Sequence, residues 1–249
     1  MRPAAAGGED RLPPEEIAEA IVETDLELPS PAEWFLAFSK VDSARWRKLY
    51  REPNAHSVSD RHKAAIALGT LYTDAYIAVE ARGVQQVRNV IQDLRVVEKM
   101  LGVGDKMQQR TARIADLATA EQWKAIRVEL EASMREEALI LRQQRDGALA
   151  TLIPVGALLR TMHAGCSLVQ DLELGDTSLA LGDVTLVYTL LRDVEALPEE
   201  TLEERSVRDV RRCLKHLRDC WQDRLEKPVA DKVAETYRVL DAVLNSLKD

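Results

Sequence analysis

The sequence predicts an all-α protein, an irregular antiparallel bundle of about eight to ten helices. The composition favours this fold class, because Ala, Leu, Val, Glu and Arg dominate it and this vocabulary suits helices rather than sheets. From residue 14 onward, apolar residues recur at steps of three and four, and no segment alternates convincingly with the period of two expected of a strand. We expect residues 14–249 to form a single all-helical domain and residues 1–13, rich in Pro, Gly and charge, to be a disordered tail.

The first predicted helices are rich in aromatic side chains. Ser30 can cap the first of them, Pro31 suits its first turn, and Glu33 can complete a capping box. Five of the eleven aromatic residues then fall in one short segment, with spacing typical of a helical pair packed on the bundle. These five are Trp34, Phe35, Phe38, Trp46 and Tyr50.

Amphipathic helices are predicted further along the chain. Residues 84–101, 121–141, 207–221 and 233–247 each carry one apolar stripe, and residues 119–122 form a second capping-box pattern ahead of the second of these helices. The last two stripes follow a heptad step, which suits helices packed side by side. The connections are marked by Gly83, Gly102, Gly147, Gly175, Pro198 and Pro228.

Three stretches of the chain are almost free of charge, and each contains one Asp or Arg. They are residues 64–79 with Asp74, residues 148–170 with Arg160, and residues 177–191 with Asp183. Uncharged stretches of helical length are typical of buried helices, so we expect the helices over residues 60–82, 148–172 and 177–193 to form the centre of the bundle. A lone charge in such a helix is costly unless it is paired.

Three interpretations of these lone charges stay open, and the third is that one or more of these groups reaches solvent. In the first, Arg160 bridges Asp74, Asp183 or both, as a buried ion pair that fixes the register of the helices. In the second, Arg160 faces an internal cavity and binds an anionic small molecule. The predicted ligand-binding residues are then Asp74, Arg160, Asp183, Tyr72, Tyr76 and His163.

The three cysteines and two of the four histidines occur at helical spacing. Two helical faces brought together could supply zinc ligands from this set, but on the second helix two cysteines lie beside the apolar stripe and the histidine points to solvent. Buried reduced thiols and no metal are therefore the prediction, with zinc or a disulfide involving Cys166 as the alternatives. The candidate metal ligands are His163, Cys166, Cys213, His216 and Cys220.

Residues 61–103 carry a resemblance to a group of proteins. The run RHKAAIALGTLYTDAYIAVEA, followed by Val87-Arg88-Asn89 and the helix end at Leu101-Gly102-Val103, resembles uncharacterised all-helical bacterial proteins that are often exported. The resemblance implies an all-α fold and favours an exported location, and it implies no activity, cofactor or catalytic residue. The N-terminal residues show no apolar leader segment. An exported location, with a leader removed, and a cytoplasmic one both stay open.

The remaining observations restrict the function. A net charge of −8 argues against nucleic-acid binding, and no stretch has the roughly 20 uninterrupted apolar residues of a membrane span. Phosphate loops, nucleophile elbows and metalloprotease or di-iron motifs are absent from the sequence, and no cofactor is expected. We therefore expect a non-catalytic helical protein that binds a partner protein or acts as a scaffold. The alternative is the bundle with an internal small-molecule site, as a binding protein or an enzyme; the sequence does not indicate the oligomeric state.

Overall fold

The fold is all-α, as predicted. The computed structural model describes residues 31, 35, 43–51, 60–172, 184–222 and 228–247. This part of the chain contains ten helices and no strand. The helices are α1 (Ser43–Leu49), α2 (Arg61–Glu80), α3 (Val84–Leu101), α4 (Gly104–Thr119), α5 (Trp123–Gln143), α6 (Gly147–Leu172), α7 (Val184–Glu195), α8 (Glu199–Leu202), α9 (Arg205–Gln222) and α10 (Val229–Ser246).

The centre of the bundle is the pair α2 and α6. Every residue from 64 to 79 is buried except Ala67 and Thr70, which are half-buried. The two helices approach each other backbone to backbone: a Cβ on Gly69 would overlap the carbonyl oxygen of Ile153, and a Cβ on Gly156 would overlap the carbonyl oxygen of Ile66. Two of the three uncharged stretches therefore form the core because glycine lets their backbones meet.

Two layers of helices flank this pair. On one side, α3 packs on α2, α4 packs on α3, and α5 closes the layer by contacting α4, α2 and α6. On the other side, α10 packs on α6, α9 packs on α10, and α7 packs on α9. Short turns between successive helices reverse the chain direction and give the antiparallel arrangement.

The tight turns use left-handed backbone conformations. Gly102 has φ of 79° after α3, and Arg82, Glu121 and Arg145 have φ of 53°, 52° and 67° in the turns that end α2, α4 and α5. The predicted second capping box is wrong for this reason. Thr119 is the last residue of α4, its hydroxyl donates to the carbonyl of Ala115, and α5 begins without a side-chain cap.

The N-terminal aromatic segment packs on α2 where the structure describes it. The ring of Phe35 meets Trp46 edge to face at 5.1 Å and lies 6.0 Å from the ring of Tyr76. The predicted tail, the capping box at Ser30 and the aromatic residues Trp34 and Phe38 lie outside the described residues.

The third uncharged stretch differs from the other two. Its first seven residues, including Asp183, lie outside the described residues, and its described part in α7 buries one face while Arg192 and Glu195 are exposed on the other. This part packs mainly on α9 rather than on α2. In the described chain, the core is thus built on two helices, because α7 is amphipathic and covers the C-terminal layer.

Helix α6 is long enough and apolar enough, over Gly147–Asp171, to cross a membrane. In the folded protein, 89% of the most apolar segment of this helix is buried. That degree of burial, together with a paired Arg160 in its middle, is what the core helix of a bundle shows. The sequence alone predicts no membrane span here, because Arg160, His163 and Pro154 interrupt the stretch.

Candidate functional site

The first site is a charge cluster at the centre of the bundle, formed by Asp74, Arg160, His163 and the carbonyl group of Leu49; we call it the Arg160 cluster. Arg160 is 1% exposed, yet each nitrogen of its guanidinium donates to a protein group. Nε donates to Asp74 Oδ1 over 2.7 Å, Nη1 to His163 Nδ1 over 3.1 Å, and Nη2 to the carbonyl oxygen of Leu49 over 2.7 Å. The cluster therefore ties α1, α2 and α6 together.

Two further charged residues, Arg51 and Asp241, lie at the edge of the Arg160 cluster. Arg51 reaches the second carboxylate oxygen of Asp74 at 3.4 Å. Because the Arg160 guanidinium can only donate, His163 accepts at Nδ1, and its Nε2 lies 3.3 Å from Asp241 on α10. Burial lowers the pKa of Arg160, and the charge of Asp74 opposes that change.

The structure brings together three of the six predicted ligand-binding residues. Asp74, Arg160 and His163 meet in the Arg160 cluster, whereas Asp183 lies outside the described residues. Tyr72 and Tyr76 point away from the cluster, because residues two positions apart on a helix face nearly opposite directions. The hydroxyl of Tyr76 donates to the carbonyl of Arg127 over 3.2 Å, on the side of α2 that packs against α5.

A second buried polar site lies between α2, α3 and α5, and sequence reasoning missed it. Tyr72, Glu98, Ser133 and Glu137 form this acidic tetrad. Six oxygen atoms of the tetrad (one per hydroxyl and two per carboxyl) are buried without a hydrogen-bond partner. The four groups influence each other electrostatically and through weak hydrogen-bond interactions, Tyr72 with Ser133 and Glu137, and Glu137 with Glu98, although none of these contacts has the geometry of a full hydrogen bond.

Burial is the main cause of the raised pKa values in the acidic tetrad. It raises the pKa of Glu98 to about 7, while hydrogen bonding with Glu137 and then the nearby charge of Arg95 act in the opposite direction. Burial also raises the pKa of Glu137 well above its usual value, and the charge of Glu98 raises it further. The pKa of Tyr72 is raised by burial first and then by the two carboxyl groups. No ion pair to Glu98 or Glu137 occurs within the described ranges.

Sequence periodicity contained a signal for this tetrad. Glu98 follows Leu94 at i+4 on the buried stripe of α3, and Glu137 follows Ser133 at i+4 on the buried stripe of α5. A carboxyl group on an apolar stripe is as costly as one in an uncharged stretch. Glu98 and Glu137 do not stand out in the sequence, because α3 and α5 carry many other charged residues on their outer faces.

The candidate metal ligands do not assemble into one centre. His163 is engaged in the Arg160 cluster, and Nε2 of His216 lies 2.9 Å from a carboxylate oxygen of Glu235. None of the three cysteines forms a disulfide, and burial raises the pKa of Cys166 and of Cys213 to about 12. The described residues do contain one group of three with ligand atoms within 4.8 Å, namely Asp60, His62 and Glu204.

That group is explained by helix capping. Asp60 is the N-cap of α2, and its carboxylate accepts from the backbone N–H groups of His62 and Lys63. The same carboxylate accepts from the hydroxyl of Ser206 over 3.2 Å, which attaches α9 to the start of α2. Its acceptor positions are therefore already used by the protein.

Two clefts open on the surface of the described protein. A cleft of about 870 Å³ lies where α2 ends and α5 begins, and a groove of about 380 Å³ lies between α9 and α10, beside Cys213 and His216. Neither is lined by a member of the Arg160 cluster. The larger, which we call the α5 cleft, is lined by side chains of both charges: Glu80, Arg82, Glu121, Trp123, Lys124 and Arg127.

Comparison with known proteins returns no match. No family, no curated protein and no solved structure resembles this chain closely enough to match it. The resemblance of residues 61–103 to uncharacterised bacterial helical proteins therefore stays a prediction.

Proposed function

We propose that this chain is a non-catalytic helical protein that binds a partner protein through the exposed face of α5. The Arg160 cluster supports the non-catalytic part. Each guanidinium nitrogen of Arg160 already donates to an acceptor of the protein, so the cluster needs no anionic ligand to satisfy its charge. The central charges are then structural, and recognition takes place on the surface.

The observation that carries the proposal is the apolar character of this face of α5. Val128 and Leu139 are 68% and 53% exposed, and they are the most exposed large hydrophobic residues of the described chain. They are separated by three helical turns, which places them on one side of the helix at about 16 Å from each other. The opposite side of α5 packs on α2, α4 and α6.

The charges around these two residues indicate the partner's chemistry. Lys124 and Arg142 are exposed at helical spacing beside Val128 and Leu139, and Arg135 on the same face pairs with Glu131. Apolar centres with a basic rim suit an amphipathic helix that carries acidic residues beside its apolar stripe. We therefore propose a helical segment of that kind as the occupant of the α5 face.

Site-specific photocrosslinking tests this proposal. A photoreactive phenylalanine at position 128 or 139 of the full chain, in the cells that produce it, is expected to capture one partner. The same residue at Gln108, an exposed position on α4, is the control and is expected to capture none. Arg142→Glu should lower the crosslinking yield at position 139 several-fold, because it reverses the basic rim. Equal capture from all three positions would refute the proposal.

Small-molecule binding is a second candidate function, and the α5 cleft favours it. Its volume of about 870 Å³ is that of a typical ligand site. Arg82 and Lys124 are exposed there, form no ion pair within the described residues, and line the same cleft as Trp123. Two cations next to an aromatic ring suit an anionic ligand with a planar group.

Fluorescence titration distinguishes this candidate. Adenosine monophosphate should change the emission of Trp123 with saturation, whereas inorganic phosphate should bind more weakly because it cannot stack. Arg82→Ala and Lys124→Ala should each weaken binding about tenfold, and Trp123→Phe identifies the responding indole. If no saturation is reached at millimolar concentration, this second candidate is wrong for nucleotides.

A further inference from the structure

The acidic tetrad contains ligand atoms without a protein partner. Glu98 and Glu137 are 1% and 0% exposed, and each has two buried carboxylate oxygens where α2, α3 and α5 pack together. The hydroxyl groups of Tyr72 and Ser133 are buried in the same place and also have no hydrogen-bond partner. Buried polar groups in folded proteins are nearly always satisfied, so these six oxygen atoms require an explanation.

Neighbouring cations do not provide that explanation. Arg95 is the basic residue whose charge reaches Glu98, but its side chain is exposed and its Nε donates to the hydroxyl of Thr111. On α5, Arg135 pairs with Glu131 on the outer face of the helix. The tetrad therefore has two acidic groups and no basic side chain paired with either of them among the described residues.

We propose that the acidic tetrad binds one divalent hard cation, with Glu98 and Glu137 as the charged ligands and Tyr72 and Ser133 as neutral oxygen ligands. Two carboxylates balance the charge of a divalent cation, and a donor set made only of oxygen suits hard cations rather than zinc or copper. Ca²⁺ is the preferred occupant, because it accepts six or more protein oxygens in irregular geometry. Mg²⁺ usually keeps several of its water ligands, and the buried tetrad is closed to solvent.

The site spans three helices, so a bound cation would link them. A cation held by α2, α3 and α5 joins the central pair to the flanking layer on the side opposite the Arg160 cluster. Because the ligands are buried, we expect the cation to enter during folding or through local opening of α3 and α5. The inference is independent of the partner-binding face, since Val128 and Leu139 lie on the outer side of α5.

Refolding with and without cation tests the proposal. The full chain is unfolded in urea with EDTA, freed of metal, and refolded with CaCl₂, MgCl₂ or neither. Elemental analysis and native mass spectrometry are expected to find about one Ca²⁺ per chain, and Tm is expected to rise by about 5–10 °C over the cation-free protein. Mg²⁺ is expected to give a smaller rise.

Matched variants assign the cation to the tetrad. Glu137→Gln should abolish stoichiometric Ca²⁺, and Tyr72→Phe, a milder change, should weaken binding several-fold. Glu136→Gln is the control, since Glu136 is the adjacent residue on the outer side and pairs with Arg110. Asp60→Asn tests the capping group as the alternative site. The proposal is overturned if wild-type protein retains less than about a tenth of an equivalent of Ca²⁺, or if Asp60→Asn loses the cation while Glu137→Gln retains it.

Discussion

Buried charges in this protein fall into two groups at the scale of single residues. The Arg160 cluster joins opposite charges and satisfies each of its guanidinium nitrogens with a hydrogen bond. The acidic tetrad joins like charges and satisfies none of its six oxygens. Because a low-dielectric interior strengthens both attraction and repulsion, the two sites are expected to respond in opposite ways to the removal of a charge.

Arg160→Met should destabilise the protein by about 3–5 kcal/mol. The variant leaves Asp74 buried with only the longer contact to Arg51 and deprives the Leu49 carbonyl of its donor. Urea unfolding followed by circular dichroism measures the change. Asp74→Leu combined with Arg160→Met should recover part of the loss, because no unpaired charge then remains in the cluster. Unchanged stability of the single variant would mean that the pair contributes nothing.

Glu98 should make the cation-free protein less stable as pH rises. Its pKa in the folded protein, about 7, lies above its usual value of 4.5, so the native state binds more protons between these two values. The stabilisation is complete below pH 4.5 and is lost as pH rises through 7, a change of about 3 kcal/mol for this one carboxyl group. Urea unfolding in EDTA from pH 5 to pH 8 measures the slope.

Glu98→Gln provides the comparison for that slope. The neutral amide cannot lose a proton, so the variant should show a shallower pH dependence and should be more stable than the wild type at pH 8. Glu136→Gln, on the outer side of α5, should keep the wild-type slope. If Glu98→Gln keeps it as well, the carboxyl group of Glu98 is not the source.

At the scale of elements, the crossing of α2 and α6 depends on two glycines. Gly69 and Gly156 each face a backbone carbonyl of the other helix, without space for a methyl group. Near the same crossing, the hydroxyl of Thr73 donates to the carbonyl of Ala157 over 3.0 Å. The separation of the two helices is therefore set by backbone contact rather than by large side chains.

Gly69→Ala should lower the free energy of unfolding by about 1–3 kcal/mol, although Ala is the better helix former. The added methyl group overlaps the Ile153 carbonyl, and two packed backbones have to separate. Gly147→Ala is the matched control, because a Cβ there meets nothing within 4 Å, and it should be neutral or slightly stabilising. Equal effects of the two substitutions in thermal unfolding would contradict the close approach of α2 and α6.

For the whole molecule, α6 joins the two layers. It contacts α2 and α5 on one side and α10 and α7 on the other. Asp60 on the N-terminal side also accepts from Ser206 on α9. One layer packs on α2 and α6 and the other packs on α6, and α2 and α6 pack closely on each other, so the layers should fold and unfold together.

A single unfolding transition is the expected result. Fluorescence of Trp46 at the N-terminal side and of Trp221 on α9, measured in single-tryptophan variants, should give the same midpoint in urea as far-UV circular dichroism. Phe replaces the other tryptophans in these variants. Two separated midpoints would show that the C-terminal layer is an independent unit and would contradict the single domain predicted over residues 14–249.

The sequence by itself determined the fold class, the connections and the first two buried stretches. Helical periodicity, glycine turns and charge-free segments depend on local composition, which the chain displays directly. Tyr72 and Tyr76 are residues whose role could not be predicted from the local sequence. Their position near Asp74 in sequence suggested a shared site, but the rotation of the helix places their side chains toward α5 instead.

Only the tertiary structure decided which charges meet. Asp74 and Arg160 are 86 residues apart, and their contact depends on the crossing of two backbones at Gly69 and Gly156. The acidic tetrad contains one residue each from α2 and α3 and two from α5. From periodicity alone, each of these residues belongs to the buried apolar stripe of its own helix. Periodicity assigns a residue to the buried side of its own helix. The neighbour it meets there is set by long-range packing, and that neighbour decides whether the charge is neutralised, protonated or bound to a ligand.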